Sequence, residues 1–592
     1  MLLAASCPRQ QWGGDLQSLR CDSQEVLDRR KVAAFMAEDH FSAAAAQAGN
    51  TLRLQRRLGE VRDAATRKNA GRLSEHLPPP ASPVPPPAAG RLTTGRKKDR
   101  SSLPRLASGP WPLVCILAVQ AGLSLRLVWS NTAYQDEALY LWAGRLEWAH
   151  WLHGATVPDF ATYFSGAPVI YPALGALASS IGGLAAARIL SLCCMLAATA
   201  LLYVVAKHLF GGWAAIAGSV VFAAIGPTQF LGAFATFDAL AVLLLALASW
   251  FAVQSGQAGE RWLACCAIAM AFADAVKYTS LLWNPVIIAL VVLGPAGTWP
   301  RSASRGVRLA GYTAALILPV MFLAGGHSYL TGIMSTTLAR PGSTVPVLRV
   351  LGASAEWTGA VAFLAITGAA ATTRRRAGRL TALAWVLAAA VFLAPLGQAR
   401  IHTNFSLFKH VGYGAWFACI VAGYGLTALG RAVQSMQVRN ARVVSVMLVF
   451  VLGVSGAALS AMHFAAWPNS AQMIRGMAPV IDRTGCPCLV AENDVVHYYL
   501  IQETAQQTFT TVFVMKYREG GRELSGVPAY RAAIRDHYFR LVEMDPSEMP
   551  ALYAPIVHAL AASHYRLVIT TTSNVVGEPF EIWVRDSARW QP

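Results

Sequence analysis

The sequence predicts a mainly α-helical, polytopic membrane bundle with a long first external loop and a small C-terminal α/β extracytoplasmic domain. Three observations predict this architecture. Of the 592 residues, 55% are hydrophobic and 14% are charged, whereas soluble proteins carry about 25% charged residues. The apolar residues form about eleven runs of roughly 17–25 residues, the length at which a helix crosses a bilayer. Beyond the last run, the chain turns polar and contains short strand-like segments.

The membrane bundle is expected to occupy residues 109–465. The predicted spans lie near 110–130, 184–206, 212–230, 238–255, 261–276, 279–294, 306–325, 356–372, 380–397, 411–430 and 443–465. If the N-terminus is cytoplasmic, alternate loops collect most of the loop arginines and lysines. This asymmetry follows the positive-inside rule and predicts a multi-pass protein of the plasma membrane.

The two ends of the chain differ from the bundle in composition. Residues 1–108 are polar and basic and contain "PPPASPVPPP", which is typical of an extended linker. We expect them to form a largely disordered cytoplasmic extension, because "GRKKDR" lies just before the first span. Residues 466–592 follow the last span and should form the extracytoplasmic α/β domain. There "PCLVAEN" and "YRLVITTTS" are typical of strands, and "PAYRAAIRDHYFRLVEM" of a helix.

The basic charge and the cysteines exclude some classes of function. The net charge is +18, but the basic residues lie mainly in the N-terminal extension and in short loops, which indicates membrane orientation rather than nucleic-acid binding. The ten cysteines form no disulfide framework. Cys486 and Cys488 in "CPC" could be redox-active or metal-binding, but ordinary free thiols are the favoured interpretation.

Ionisable residues cluster near the outer ends of the predicted spans. Asp136 and Glu137 follow the first span in "TAYQDEALYLWAG", within a first external loop at about 131–183. Their segment "DEALYLWAGRLEWAHWL" suits an amphipathic helix lying on the membrane. Candidate partners at the same boundary are Arg188, Asp238, Lys277, His402, Lys409 and His410. Such residues near a bilayer usually face a cavity and pair with each other or with a charged ligand.

Structural explanations compete with this functional one. Asp238 in "ATFDAL" could cap a helix N-terminus. Arg188 and Lys277 could reach lipid headgroups. His402 and His410 could be ordinary residues of an interfacial loop. A helix N-terminus needs only one carboxylate as its cap, so capping does not explain the adjacent carboxylates of Asp136 and Glu137.

The order of these motifs resembles that of the C-type polyprenyl-phosphate-dependent membrane glycosyltransferases, related to the protein O-mannosyltransferase and aminoarabinose-transferase families. The resemblance covers about 105–430 and includes "YFSGAPVIYPALGAL", "GGLAAARILSL", "FATFDAL" and "DAVKYTSLLWNP". It implies that a sugar passes from a polyprenyl phosphate to an acceptor at the outer face of the membrane. It also implies that Asp136 is the acidic residue of the first loop that these enzymes use in catalysis. Asp238 and Lys277 match an acidic position of the second external loop and a lysine after the fifth span.

The resemblance has one departure. Aminoarabinose transferases often carry Glu-Lys followed by two prolines before "PVIYP", where this chain has Ser165, Gly166, Ala167 and Pro168. The lost positive charge would have to come from Lys409, His410 or Arg188. A divalent metal ion held by Asp136 and Asp238 with the substrate phosphate is a further expectation, since hard cations favour oxygen ligands.

The chemistry of sugar transfer requires such a constellation. A glycosyl phosphate has an anionic leaving group and an oxocarbenium-like transition state. One base must take the acceptor proton, and cations must stabilise the departing phosphate. We expect Asp136 to be that base, supported by Glu137, with Asp238, Lys277, Arg188, His402, Lys409 and His410 binding substrate or phosphate. The acceptor could be a protein, a glycolipid or a cell-wall glycan.

A polytopic transporter or lipid flippase is the main alternative. Transporters usually place ionisable groups near the midplane on broken helices, often in repeated halves. In this sequence they cluster at one face, and no internal repeat is evident. A non-catalytic receptor that binds through its outer domain is a second alternative, but it leaves the Asp136–Glu137 pair unexplained.

The loop charges make a testable prediction of topology. Reporter fusions after residue 108 should be read on the cytoplasmic side and fusions after Pro592 on the outer side. A cytoplasmic readout for the fusion after Pro592 would overturn both the orientation and the predicted side of the active site.

Overall fold

A computed structural model describes residues 109–586 except 296, 324–325, 339–343, 376–377, 436–440, 501–508, 512–514, 547–549, 573 and 575–578. The predicted N-terminal extension lies outside the described residues. The described part of the membrane bundle contains the helices α1 (Trp111–Val128), α2 (Gln135–His153), α3 (Tyr171–Phe210), α4 (Gly212–Ala224), α5 (Gly226–Leu231), α6 (Phe237–Ala258), α7 (Glu260–Val276), α8 (Asn284–Leu293), α9 (Trp299–Leu323), α10 (His327–Ile333), α11 (Val347–Arg374), α12 (Arg379–Ala389), α13 (Leu393–Arg400), α14 (Leu407–Ser435) and α15 (Ala441–Phe464).

The helices confirm a polytopic membrane fold. Seven of the described helical segments are long and apolar enough to cross a membrane: Trp111–Val128, Tyr171–Phe210, Phe237–Gly256, Val347–Arg374, Arg379–Arg400, Leu407–Ser435 and Val443–Phe464. The other predicted spans fall on α4 with α5, α7, α8 and α9, which are shorter, interrupted or more polar. The count of about eleven spans therefore stays a prediction.

Helix α14 lies at the centre of the bundle. Its side chains from Leu407 to Gly423 are almost all buried. A Cβ at Gly423 would lie 2.1 Å from the carbonyl oxygen of Ala214, and one at Gly425 would lie 2.0 Å from that of Leu364. Glycines thus let α4 and α11 approach the central helix to backbone contact, which is how membrane helices pack tightly.

Helix α3 begins within the segment that was expected to be the first external loop. The first external loop was predicted to extend to residue 183, but α3 begins at Tyr171. Pro172 stands at the start of the helix, where its missing N–H costs nothing. Backbone angles depart from helical values at Gly182 and Gly183, so the helix kinks there and continues through the predicted span.

Helix α2 is present, but it does not simply lie on the membrane as predicted. Most residues from Glu137 to Glu147 are buried against the rest of the protein. The indole N–H of Trp148 donates to the carbonyl oxygen of Ala173 in α3 at 2.9 Å. Only the C-terminal end exposes large apolar side chains, Trp151 and Leu152. Its aromatic residues therefore serve mainly as protein core.

The C-terminal region forms the predicted small α/β domain. Its elements are α16 (Ala471–Thr484), β1 (Cys488–Val490), α17 (Asn493–Tyr499), β2 (Phe509–Thr511), β3 (Lys516–Glu519), β4 (Arg522–Ser525), α18 (Val527–Arg535), β5 (Leu541–Met544), α19 (Pro550–Ala562), β6 (Tyr565–Thr571) and β7 (Phe580–Arg585). The main sheet has the order β2-β1-β5-β7-β6. β1 pairs in parallel with β2 and β5, whereas β7 runs antiparallel to β5 and β6.

Two expectations for this domain need correction. The segment expected to be one helix, "PAYRAAIRDHYFRLVEM", is helical only to Arg535 and then forms β5. His537 has a positive φ of 53°, which ends the helix, and every residue of β5 is buried. The second correction concerns Cys486 and Cys488, which were expected to be free thiols but form a disulfide.

The close packing at Gly423 makes a testable prediction. Gly423→Ala should destabilise the protein by about 1–3 kcal/mol, because the added methyl group overpacks the contact of α14 with α4. The measurement is thermal unfolding of the purified protein in detergent. The control is Gly122→Ala in α1, where an added Cβ meets nothing within 4 Å. Equal stability of the two variants would contradict the packing described above.

Candidate active site

Two carboxylate–lysine pairs meet where α2, α6, α7 and α14 come together. In the outer pair, the Lys409 ammonium at the start of α14 donates to Asp136 Oδ2 in the first turn of α2. The Lys409 side chain is 2% exposed and that of Asp136 is 22% exposed. A carboxylate is favoured at a helix N-terminus by the helix dipole. Asp136 is therefore held at a stable position and still reached by solvent.

The inner pair is buried deeper. Lys277 Nζ lies 3.5 Å from Asp238 Oδ1, and the two side chains are 4% and 0% exposed. Asp238 also accepts hydrogen bonds from the Thr236 hydroxyl at 2.9 Å and the Tyr413 hydroxyl at 3.0 Å. These donors compensate the buried charge and fix its orientation. Asp238 thus holds Lys277 in place.

The segment that contains Ser165 and Gly166, where the chain departs from the aminoarabinose-transferase pattern, contacts the backbone on both sides of Lys277. Gly166 approaches the backbone so closely that a Cβ would lie 1.8 Å from the carbonyl oxygen of Val276. The Tyr278 N–H donates to the carbonyl oxygen of Ser165 at 2.9 Å. Only glycine can allow this approach. The segment therefore positions the lysine through its backbone.

Tyr140 interacts electrostatically with the carboxylates of both pairs, and the sequence analysis did not predict it. It stands four residues after Asp136, on the same face of α2. Burial raises the pKa of Tyr140 well above its ordinary value, and the charges of Asp136 and Asp238 raise it further. The phenol therefore stays protonated beside both carboxylates. The i, i+4 spacing was the sequence signal that could have identified it.

Glu137 and Arg188 pair with each other away from this cluster. Arg188 Nε and Nη2 donate to the two oxygens of Glu137 at 2.8 and 2.6 Å, and both side chains are fully buried. Arg188 also donates to the carbonyl oxygens of Val128, Asn131 and Thr132. Glu137 accepts from the N–H groups of Tyr134 and Ala235 at 3.1 and 2.8 Å. This geometry favours a structural role over the predicted catalytic and phosphate-binding roles.

The two predicted histidines lie in different environments. His410 is buried in α14, with Nδ1 2.9 Å from Gln398 Nε2, and it interacts electrostatically with Asp238. His402 is exposed and has a positive φ of 52°. Its Nδ1 lies 3.2 Å from the carbonyl oxygen of Val345. The structure brings His410 to the cluster and leaves His402 at its periphery.

The carboxylates do not suit the predicted divalent metal ion. Asp136 and Asp238 are each neutralised by a lysine ammonium, and a nearby cation opposes metal binding. Among the described residues, no group of three or more His, Cys, Asp or Glu side chains could hold a metal ion.

A cavity of about 220 Å³ opens beside the outer pair. It is lined by Tyr134, Asp136, Ala353, Trp357, Asn404, Phe405, Ser406, Leu407, Phe408, Lys409 and His463. Its wall is thus aromatic and apolar, while Asp136 and Lys409 provide the charges. Such a combination suits a ligand with a charged head and an apolar body.

The C-terminal domain reaches the same site through α17. The Ala133 N–H donates to the Tyr499 hydroxyl at 3.0 Å, and Arg145 Nη1 donates to the carbonyl oxygen of Tyr498 at 2.8 Å. His497 stacks on Trp142 with ring centroids 4.1 Å apart. Burial lowers the pKa of His497 to about 4, so the ring is neutral near pH 7.

Asp494, in the first turn of α17, is a site residue that the sequence analysis missed. Burial raises the pKa of Asp494 to about 7 and the charge of Asp136 raises it further, whereas a hydrogen bond from Asn493 lowers it. The interaction with Asp136 joins residues more than 350 positions apart in the chain, and no local pattern could have indicated it.

Comparisons with known proteins agree with this architecture. Residues 167–324 match the sequence model of the dolichyl-phosphate-mannose-protein mannosyltransferase family. The fold matches ArnT from Cupriavidus metallidurans bound to undecaprenyl phosphate, with a TM-score of 0.56 and 14% identity over 82% of this chain and 100% of ArnT. The chain has the ArnT fold. The resemblance to C-type polyprenyl-phosphate glycosyltransferases predicted from the sequence is therefore confirmed.

Two further solved structures support the same fold. ArnT from Cupriavidus metallidurans in the apo state matches with a TM-score of 0.56 and 13% identity, over 81% of this chain and 99% of ArnT. The Archaeoglobus fulgidus oligosaccharyltransferase in complex with Zn and sulfate matches with a TM-score of 0.50 and 14% identity, over 78% of this chain and 72% of that protein. No curated protein sequence matches the chain significantly.

The buried Glu137–Arg188 pair makes a testable prediction. Arg188→Met should destabilise the protein by about 3–5 kcal/mol, because it leaves the Glu137 carboxylate buried without its counter-charge. Thermal unfolding in detergent measures the effect. Arg308→Met is the control, since Arg308 forms an exposed ion pair with Glu260 at 2.8 Å and should change stability by about 0–1 kcal/mol.

A double variant distinguishes the ion pair from simple loss of packing. Glu137→Met combined with Arg188→Met removes both charges and should be more stable than Arg188→Met alone. Additive losses in the double variant would contradict a coupled pair.

Proposed function

We propose that the chain is a membrane glycosyltransferase that moves a sugar from a polyprenyl-phosphate donor to a hydroxyl group of an acceptor. The observation that carries the proposal is the Asp136–Lys409 pair at the edge of an aromatic cavity. It offers a base for the acceptor and a cation for the phosphate at one point. ArnT, whose fold the chain shares, was crystallised with undecaprenyl phosphate.

The donor phosphate is bound by lysines in this proposal. Lys409 and Lys277 are close enough for their charges to interact, so an anion between them relieves their repulsion. When the phosphate takes hydrogen bonds from Lys409, the Asp136 carboxylate loses its ammonium partner. Donor binding thereby frees the base at the moment when the donor is in place.

The transfer step then follows from the positions of these groups. Asp136 accepts the proton of the acceptor hydroxyl while that oxygen forms a bond to the anomeric carbon of the sugar. The bond between the anomeric carbon and the phosphate oxygen breaks, and its electron pair leaves with the polyprenyl phosphate. Lys409 and Lys277 stabilise this charge, which is greatest after bond cleavage.

The remaining residues position these groups. Asp238, with its hydrogen bonds from Thr236 and Tyr413, holds Lys277. Glu137 and Arg188 hold the start of α2, so we assign them a positioning role in place of the catalytic and phosphate-binding roles expected from the sequence. His410 supports the buried cluster, and we assign His402 no role in the reaction.

We place the reaction on the extracytoplasmic side of the plasma membrane. The loop charges support this orientation. The Cys486–Cys488 disulfide also supports it, because disulfides persist in oxidising compartments. The clustering of the charged pairs near one membrane boundary favours transfer over transport, which typically uses a site near the midplane. The sugar transferred is a hexose or a pentose.

Separate measurements of turnover and donor binding test the proposal. Asp136→Asn keeps the shape of the side chain but cannot accept a proton, so turnover should fall by about 10²–10⁴-fold while donor binding changes little. Lys409→Ala and Lys277→Ala should weaken donor binding and also slow transfer, because phosphate contacts act in both the ground and transition states. Turnover is the release of polyprenyl phosphate from a panel of labelled polyprenyl-phosphate sugars in the presence of extracted membrane glycans.

Matched controls are available on the surface of the C-terminal domain. Asp482→Asn and Lys516→Ala change exposed residues of the same types and should leave both measurements unchanged. Normal turnover in Asp136→Asn would remove it as the base. Normal donor binding in both lysine variants would place the phosphate elsewhere.

A further inference from the structure

We infer that Asp494 and Tyr163 bind the acceptor, and that the acceptor is a hydroxyl-rich carbohydrate without negative charge. This inference deepens the proposed function and rests on it. It assigns the C-terminal domain part of the binding site, at residues that do not line the aromatic cavity.

The first argument is the rigid attachment of α17 to α2. Val495 and Tyr498 pack with Ala138 and Leu141 in one buried apolar cluster. The Tyr498 hydroxyl lies 3.0 Å from the Ser179 hydroxyl in α3. The Arg145 guanidinium lies 4.6 Å from the centroid of the Tyr498 ring. The helix that carries Asp494 is thus fixed to the helix that carries Asp136.

The second argument is where Asp494 and its neighbours lie. The Asp494 carboxyl group interacts electrostatically with Asp136 and with the Tyr163 hydroxyl. Asp494 is partly exposed, and Tyr163 is 42% exposed. Neither residue lines the cavity beside Lys409. A series of ring contacts, from His497 of α17 through Trp142 and Phe160 to Tyr163, places these residues beside α2 and outside the cavity lining.

The third argument is the topology of the C-terminal sheet. β1 lies between β2 and β5 and is parallel to both. In open α/β sheets, ligands bind outside the carboxyl ends of the strands, where the strand order reverses. α17 begins at Asn493, directly beyond the carboxyl end of β1. Asp494 consequently stands at the edge of the sheet where a ligand is expected.

The chemistry of these groups indicates the class of acceptor. A carboxylate accepts hydrogen bonds from hydroxyl groups, and an exposed tyrosine offers both an apolar ring face and a polar tip. A sugar presents hydroxyl groups and an apolar face together. Asp136, and Asp494 when it is ionised, would repel an anionic acceptor. With the donor in the aromatic cavity, an acceptor bound at Asp494 and Tyr163 would not compete with the donor for the cavity.

The kinetic test separates acceptor binding from donor chemistry. Methyl glycosides of neutral hexoses and pentoses serve as acceptor probes, and donor hydrolysis by water serves as the acceptor-independent reaction. Asp494→Asn and Tyr163→Leu should raise KM for the glycosides by about tenfold, the loss expected for one strong contact. Donor KM should stay at the wild-type value, and the change in donor hydrolysis should be much smaller than the change in glycoside KM. Asp482→Asn is the control, with an exposed carboxylate in the same domain.

The outcomes that would overturn the inference are distinct from failure of the proposed function. An unchanged glycoside KM would overturn it, as would an equal loss of donor hydrolysis, which indicates structural damage. A methyl glucuronoside that is used as well as the neutral glycosides would overturn the acceptor class.

A binding measurement without turnover covers the case of an inactive wild type, which would contradict the proposed function. Saturation-transfer NMR should detect the neutral glycosides on the full-length protein and lose them with Asp494→Asn. Absence of binding to the wild type, or equal binding to the variant, would overturn the inference.

Discussion

The buried ion pair between Glu137 and Arg188 is the interaction on which the site depends. Arg188 joins the start of α2 to the end of α1 and to α3, because it donates both to Glu137 and to the carbonyl oxygens of Val128 and Asn131. Glu137 extends the connection to the residues before α6 through the N–H of Ala235. A buried pair of this kind is tolerated only when its remaining hydrogen-bonding groups are satisfied. Here the remaining hydrogen-bonding groups of the pair are satisfied by the backbone of Val128, Asn131 and Ala235, which belongs to the segments that the pair connects.

The Glu137–Arg188 ion pair explains why the adjacent carboxylates of Asp136 and Glu137 have different roles. Successive residues of an α-helix point about 100° apart, so Glu137 turns into the protein while Asp136 turns toward Lys409. The first is neutralised by a guanidinium with five fixed donors, and the second by a flexible ammonium. An arginine pair of the first kind is geometrically rigid, whereas a lysine contact is readily exchanged for another anion. The proposed mechanism uses this difference, since the donor phosphate has to take Lys409 from Asp136.

The site is built in layers from both domains. Asp238 and Lys277 form an inner layer that water does not reach, and Asp136 and Lys409 form an outer layer at the cavity. The C-terminal domain adds α17, which is attached to the α2 segment and to α3 through Tyr498 and Tyr499. In the proposed reaction, donor and acceptor meet at the Asp136 carboxylate without competing for the same surface. The arrangement also accounts for Trp142 of α2, whose ring stacks on His497 at the contact between the domains.

Composition and hydropathy were sufficient to predict the membrane bundle and the small C-terminal α/β domain, because bilayer thickness acts locally along the chain. The cost of charge near a bilayer also indicated Asp136, Asp238, Lys277 and Lys409 as candidate site residues. The different roles of Asp136 and Glu137 were decided by the tertiary structure. They depend on which residue each face of α2 contacts: Lys409 for Asp136 and Arg188 for Glu137. The segment "LVEM" (541–544) became a strand because all four of its residues are buried in the sheet. Asp494 was brought to Asp136 only by docking of the C-terminal domain, a contact between residues far apart in sequence. Local patterns determine which segments are helices and where charge is costly, whereas the pairing of distant charges is set by packing.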